Sequence, residues 1–337
     1  MTSSLRVTDF VSSGAAPVTS DQLRQFDELG YVVVDGILDP DSDLQPIRDD
    51  YALTLDGLAK DWHGHGQLTN TFDGLPFGER LTRIIASSGM GWAQSFDISL
   101  PQGNVKLDTP IHCTPSVFNL LRHPRLLDAV EQFVGPEIYS NPIQHTRIKP
   151  PEHLVPKDHI GGMMVRVGWH QDQGVALPEQ DEVNVLTVWL AVTDATVENG
   201  CLVVVPGSHR DGLVAHCPGT APDGGLQIPL RLISPEAIPV PVKRGGALFL
   251  QSRTIHASLA NVSDNIRWSF DLRYQPIGQP TGRPAFPGFI ARSRNDPASE
   301  VRDWREWRQL WLDARARLAA AGNPVFNRWS SDAPACA

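Results

Sequence analysis

From about residue 137 the sequence predicts a mainly β protein, a β-sandwich or jelly-roll barrel, with added helices before and after it. Short β-rich runs carry the first half of that reading: Ile138-Tyr139, Thr146-Arg147-Ile148, Met163 to Trp169, Asn184 to Val192, Cys201 to Val205, Ala247 to Gln251 and Arg267 to Tyr274. Apolar residues at helical spacing carry the second, through the N-terminal part (about 1–135) and again at 303–321. No Gly/Ser-rich or charge-rich linker divides the 337 residues, so one domain is expected over 1–337, with its β core at about 137–276.

Taken in order, Thr19-Ser20-Asp21-Gln22 has the form of a capping box. Leu23, Phe26 and Leu29 then recur at helical spacing until Gly30 can close the helix. Tyr31 to Val34 reads as a strand. Asp43 to about Trp62 is a second helix, with Pro46 tolerable near its start, and Arg80 to Ser87 and Arg125 to Val134 are shorter ones. Asn199-Gly200 is a hairpin signal between Asn184-to-Val192 and Cys201-to-Val205, because both residues accept positive φ. Val185 to Leu190 is apolar on nearly both faces, as for a strand covered by helices on one side and lining a cavity on the other. In the last helix Trp304, Trp307, Trp311 and Leu318 form a stripe that faces a core.

A net charge of -9 lacks the concentrated positive field that phosphate backbones require, so nucleic acid is not an expected partner. The first twenty residues contain no apolar secretory core, and no run approaches the length of a membrane span. A soluble, cytoplasmic protein with no membrane partner is expected. Cys113, Cys201, Cys217 and Cys336 have no CxxC spacing, so reduced, structural thiols are expected.

Three residues point to chemistry. A His followed two positions later by an acid arises about once by chance in such a composition. The chain has two, and context separates them. His209 and Asp211 follow the turn Pro206-Gly207-Ser208, whereas His170 and Asp172 follow the β-like run ending at Trp169, where residues i and i+2 share a face. His256, beyond Ala247 to Gln251, is placed to add a third ligand from a distant strand. Two imidazoles and a carboxylate on one face suit a mononuclear Fe(II) centre with open positions. Eleven residues after His256 comes Arg267, in a run where Trp268, Phe270 and Leu272 alternate with Arg267, Ser269, Asp271 and Arg273. If the intervening turn centres near Val262 or Ser263, pairing sets Ser258 opposite Arg267. A guanidinium on an inner face needs an anion, and the far carboxylate of a dicarboxylic co-substrate fits.

These residues, with the helix-to-strand passage Phe26 to Val34, Trp169-His170-Gln171-Asp172 and the run Asn199 to His209, resemble the phytanoyl-CoA dioxygenase family of Fe(II)/2-oxoglutarate oxygenases over about Thr19 to Pro276. The resemblance implies a double-stranded β-helix, cupin-like core. It implies that His170, Asp172 and His256 bind iron, and that Arg267 and Ser258 hold the 5-carboxylate of 2-oxoglutarate. Gln171, Trp189 and, on the strand before the metal motif, Gln144 would line the co-substrate pocket. O2 would be the second co-substrate and a small specialised-metabolism molecule the substrate. The retained carboxylate of Asp172 favours hydroxylation, or a related dehydrogenation, cyclisation or rearrangement, over halogenation, since halogenating relatives have a small residue there. Substrate walls are expected in Trp62 to Thr114, Pro151 to Gly162, Asp211 to Pro239 and Gly278 to Asn295. A cupin-type enzyme independent of 2-oxoglutarate, or a non-catalytic metal-binding relative, is the alternative.

Overall fold

The computed structural model describes residues 17–89, 94–156, 166–221, 225–322 and 324–336. Helix α1 (Ser20–Leu29) opens with both capping-box bonds: the Gln22 amide donates to Thr19 Oγ1 at 3.2 Å and the Thr19 amide to Gln22 Oε1 at 2.9 Å. It closes at Gly30, where φ is +81° and a β carbon would overlap His209 and Thr254. The turn feeds β1 (Tyr31–Val34) directly into the large sheet.

Helices α2 (Gln45–Gly64), α3 (Phe77–Ser88), α4 (Pro115–Leu121) and α5 (Pro124–Val134) complete the N-terminal part. Helix α4 was not anticipated, although Thr114 caps it and Pro115 occupies its first turn. Seven antiparallel strands follow in the order β1-β7-β4-β9-β2-β10, with β3 also paired to β9. They are β2 (Glu137–Ser140), β3 (His145–Lys149), β4 (Leu186–Ala191), β7 (Ala247–Gln251), β9 (Arg267–Pro276) and β10 (Phe289–Ser293), in addition to β1. A second sheet, β6-β5-β8, consists of β5 (Leu202–Val204), β6 (Ile238–Val240) and β8 (His256–Ser258). The result is the jelly-roll core that the β-rich runs predict, with flanking helices.

The two-residue period of the strands sorts the side chains. Leu186, Val188 and Leu190 of β4, with Phe249 of β7 and Trp268, Phe270, Leu272 and Tyr274 of β9, pack outward against the helices. Trp189 and Ala191, with Leu248 and Leu250, face Leu202, Val204 and Val240 of the small sheet. Helix α6 (Trp304–Ala321) lays Trp307, Trp311 and Leu318 on the outer core. Each such burial stabilises by roughly 1.5–3 kcal/mol on side chains of Phe size.

Several expectations are corrected. Asn199-Gly200 does not form a hairpin: β4 pairs β7 and β9, β5 pairs β6 and β8, and the turn carries the chain between sheets. Likewise β8 pairs β5 rather than β9, so the register partner of Arg267 is Lys149, not Ser258. Of the strand expected at Met163 to Trp169, residues 163–165 lie outside those described and 166–169 form no ladder. The large sheet also continues past residue 276 into β10, which pairs β2.

Gly200 has φ of +90°, and a β carbon there would stand 2.6 Å from the Leu259 carbonyl oxygen. Gly200→Ala is therefore expected to lower stability by about 1–3 kcal/mol in urea denaturation. An unchanged midpoint would contradict the crossing geometry.

Candidate metal centre

The site forms where the two sheets meet. His170 and His256 exchange backbone bonds, each amide donating to the other's carbonyl at 2.9 Å, as a single antiparallel bridge. The bridge sets their imidazoles side by side, with ring centroids 4.2 Å apart. Gln171 is extended (φ -113°, ψ 138°), so Asp172 returns to the face of His170 although a 3-10 turn begins there. Asp172 Oδ1 lies 3.8 Å from His170 Nε2, and its Oδ2 lies 3.9 Å from His256 Nε2. All three residues are buried, and one donor atom from each lies within 4.8 Å of the others, a spacing that could hold one metal ion.

The hydrogen bonds around these residues suit a cation. His170 Nδ1 donates to the Gly168 carbonyl and His256 Nδ1 to that of Thr254, each at 2.9 Å. A carbonyl can only accept, so both Nδ1 atoms carry a proton, and both Nε2 atoms are the ones turned toward Asp172. Burial, then the neighbouring His256, holds His170 neutral, well below its usual range. Burial alone would raise the Asp172 carboxyl, but the Arg273 guanidinium beside it outweighs that and holds the group ionised, well below the usual carboxylate range. Thr187 Oγ1 donates to Asp172 Oδ2 at 2.5 Å and Arg273 Nη2 donates to Oδ1. The roles of Thr187 and Arg273 escaped sequence reading, although Arg273 lies on the polar face of β9 with Arg267.

A narrow cavity beside this cluster is lined by Arg267, Ser258 and Trp189 as well as by His170, Asp172 and His256. Arg267 is fully buried. It donates from Nη1 to Ser269 Oγ at 2.7 Å and from Nε to the Gly200 carbonyl at 3.2 Å, while Nη2 has no partner. Its guanidinium lies over the Trp189 ring, 5.1 Å from the centroid, and the Trp189 indole N–H is also buried without a partner. Ser258 Oγ accepts from Lys149 Nζ at 2.7 Å and from the Val167 amide at 2.8 Å. With both lone pairs used, its own proton is left to donate. Unpaired donors around an unpaired buried cation make a seat for a carboxylate.

Two expected pocket residues sit elsewhere. Gln171 faces away from Asp172: its amide nitrogen donates to the carbonyls of Gly212 and Arg253 at 2.8 and 2.7 Å, and its oxygen accepts from the Val214 amide at 2.8 Å. Gln144, buried just before β3, donates to the Ile98 carbonyl at 3.2 Å. On the opposite face of the strand, Arg147 lines the narrow cavity, because a shift of one residue reverses the face.

A larger cavity of about 470 Å³ shares His170, Arg147, Val167 and Arg273 with the narrow one. Its walls come from three of the four expected segments, through residues such as Leu100, Leu226 and Arg283. Residues 90–93 and 157–162 of the expected wall segments lie outside the described residues. Phe326 and Asn327 of the C-terminal tail were not foreseen there. Several contacts bind that tail. Arg328 donates from Nη1 and Nη2 to Asp181 Oδ1 at 2.8 Å, and Arg231 Nη2 to the Ala335 carbonyl at 2.7 Å. Trp329 donates its indole N–H to the Gly174 carbonyl at 2.7 Å and stacks on His216, whose Nε2 accepts from the Gln171 amide at 2.9 Å. Cys336 is joined to Cys217 by a disulfide, which corrects the expectation of reduced thiols for this pair; Cys113 and Cys201 are free and buried. The half-cystines are 119 residues apart in sequence, a separation without a local signature.

A model of the phytanoyl-CoA dioxygenase (PhyH) family matches residues 26–269. The chain belongs to this family. Membership in the phytanoyl-CoA dioxygenase family places it in the Fe(II)/2-oxoglutarate oxygenase superfamily. The phytanoyl-CoA dioxygenase domain-containing protein 1 of Danio rerio is 26% identical over 271 residues, 74% of this chain and 87% of that one. Phytanoyl-CoA dioxygenase 1 of Oryza sativa subsp. japonica is 26% identical over 276 residues, 77% and 89% of the two chains. Among solved structures, the non-heme monooxygenase ThoJ in its apo form matches at 18% identity with a TM-score of 0.53, over 88% of this chain and 98% of that one, which shows the shared fold. No helix among the described residues is long and apolar enough to cross a membrane.

Removing the disulfide is expected to release the tail. Cys336→Ser should lower stability by about 2–4 kcal/mol and open the last dozen residues to limited proteolysis. A tail that stays protected in that variant would show that its non-covalent contacts, among them Trp329, Phe326 and the Arg328 pair with Asp181, hold it without the disulfide.

Proposed function

We propose that the protein is an Fe(II)/2-oxoglutarate-dependent dioxygenase in which His170, Asp172 and His256 hold the iron and Arg267 holds the far carboxylate of 2-oxoglutarate. The observation that carries this reading is the buried His-Asp-His cluster facing the same narrow cavity as a buried guanidinium without an acidic partner. Iron, 2-oxoglutarate and O2, when bound, supply the oxidising power for an unactivated C–H bond, and 2-oxoglutarate leaves as succinate and CO2. The finer reading is hydroxylation of a small specialised-metabolism substrate, supported by the intact carboxylate of Asp172.

The chain's own groups do the orienting. Arg267 offers Nη2 and Ser258 its hydroxyl proton to one carboxylate, and Trp189 adds an indole N–H. The Trp189 ring and Leu202 and Leu250 limit water around that ion pair, which strengthens it. Arg273 and Thr187 fix the Asp172 carboxylate, so that the ligand does not reorient when a cation enters.

Anaerobic addition of Fe(II) and then 2-oxoglutarate should give a visible metal-to-ligand charge-transfer band. His170→Ala should abolish it. Arg267→Ala should raise the 2-oxoglutarate concentration needed by about 30-fold or more, as for truncating a desolvated ion pair. Ser258→Ala should raise it by about tenfold, the worth of one hydrogen bond to a charged group. No band from folded, iron-loaded protein would remove the 2-oxoglutarate assignment. Asp172→Ala should abolish hydroxylation, and turnover at the wild-type rate would remove Asp172 as a ligand.

A further inference from the structure

Four arginines border the two cavities, and their pairing differs. Arg147 donates to Asp271 at 2.5 Å and Arg273 to Asp172, so each of these has an acid. Arg267 has none and is the group assigned above to 2-oxoglutarate. Arg283 also has none: it is 2% exposed, lines the larger cavity and makes no ion pair among the described residues. Its Nη2 donates to the Val175 carbonyl at 2.7 Å, and its Nε is buried without a partner. Burial, then repulsion from Arg273, lowers its pKa to about 10, so it remains a cation at neutral pH. The rings of Phe286 and Phe326, with centroids 5.9 and 5.1 Å away, offset part of the desolvation but bring no counter-charge.

The position of Arg283 is fixed relative to the metal cluster. Val175 ends the 3-10 turn that starts at Asp172, and the Leu177 amide donates to the Gly282 carbonyl at 3.0 Å, packing the loop of Arg283 onto that turn. His170 lines the same cavity. Of the other charged groups on the wall, Asp97 is met by His145 Nδ1 at 2.9 Å and by the amides of Ile98 and Thr146 at 2.9 and 3.1 Å. Much of the remaining wall is apolar, including Leu100, Ile143, Val175 and Leu226.

We infer that the substrate is a carboxylic acid with an apolar body, its carboxylate seated on Arg283 and its carbon skeleton lying along the cavity toward His170. One unmatched guanidinium balances one negative charge. A phosphorylated or CoA-linked substrate would bring further charges, and among the described residues no second unpaired cation lines the cavity. This rests on the oxygenase reading and adds the substrate class to it.

The test uses the full-length protein loaded anaerobically with Fe(II) and 2-oxoglutarate, so that Arg267 is occupied, with the charge-transfer band checked in every sample. Octanoate and octanamide, equal in shape and different in charge, are titrated calorimetrically. Wild type is expected to bind octanoate at least tenfold more tightly than octanamide. Arg283→Gln should erase that preference while leaving octanamide affinity within about twofold, and Arg283→Met serves where the Gln variant does not fold. Equal binding of the two probes by wild type, or a preference undiminished in a folded Arg283 variant, overturns the inference. Absence of the band counts against the oxygenase reading instead, so the two failures are distinguishable.

Discussion

Buried positive charge on the inner face of β9 is the constraint on which the rest of this site depends. The strand turns Trp268, Phe270, Leu272 and Tyr274 outward into the core, which obliges Arg267, Ser269, Asp271 and Arg273 to face inward. A guanidinium removed from water is costly unless it meets an anion. Arg273 meets Asp172 and thereby holds a candidate metal ligand in its ionised form. Among the described residues Arg267 is left without an acid, and burial and the nearby Arg267 hold the amine of its register partner, Lys149, well below the usual range. The inner face is thus built around charge that the chain does not itself neutralise.

Geometry at the metal cluster comes from backbone rather than from side-chain packing alone. The single bridge between His170 and His256 joins two segments 86 positions apart, and the Nδ1 bonds to Gly168 and Thr254 fix both rings. Around it runs a second layer of clasps. Gln171 ties the metal turn to residues 212, 214 and 253, His216 accepts from the Gln171 amide, and Trp329 stacks on His216. The disulfide from Cys217 to Cys336 closes this layer by anchoring the tail that supplies Phe326 to the cavity wall.

Much of this was legible in the sequence wherever a period or a local chemical pattern existed. The capping box at Thr19, the alternation of β9 and the aromatic stripe of α6 each repeat over enough residues to carry a signal. So does the grouping of His170, Asp172 and His256, because two of the three lie on one short extended stretch. What failed was pairing. β5, β6 and β8 are three residues each, too short for a period, and nothing local says whether a turn closes a hairpin or crosses between sheets. That is why Asn199-Gly200 suggests a hairpin and why Ser258 was set opposite Arg267. Gln144 was missed by one position in register, and the disulfide and the tail contacts join residues too distant for any spacing argument.

Among the described residues Arg147 and Arg273 are committed to acids of the chain, while Arg267 and Arg283 make no ion pair and are proposed to receive carboxylates. A crystal structure of the protein loaded anaerobically with Fe(II) and 2-oxoglutarate tests this most directly. The expected result is iron bound by His170, Asp172 and His256, one carboxylate of 2-oxoglutarate on Arg267, and the Arg273 to Asp172 pair intact. A dicarboxylate lying on Arg273 with Asp172 displaced, and Arg267 still contacting only Ser269 and Gly200, would contradict it.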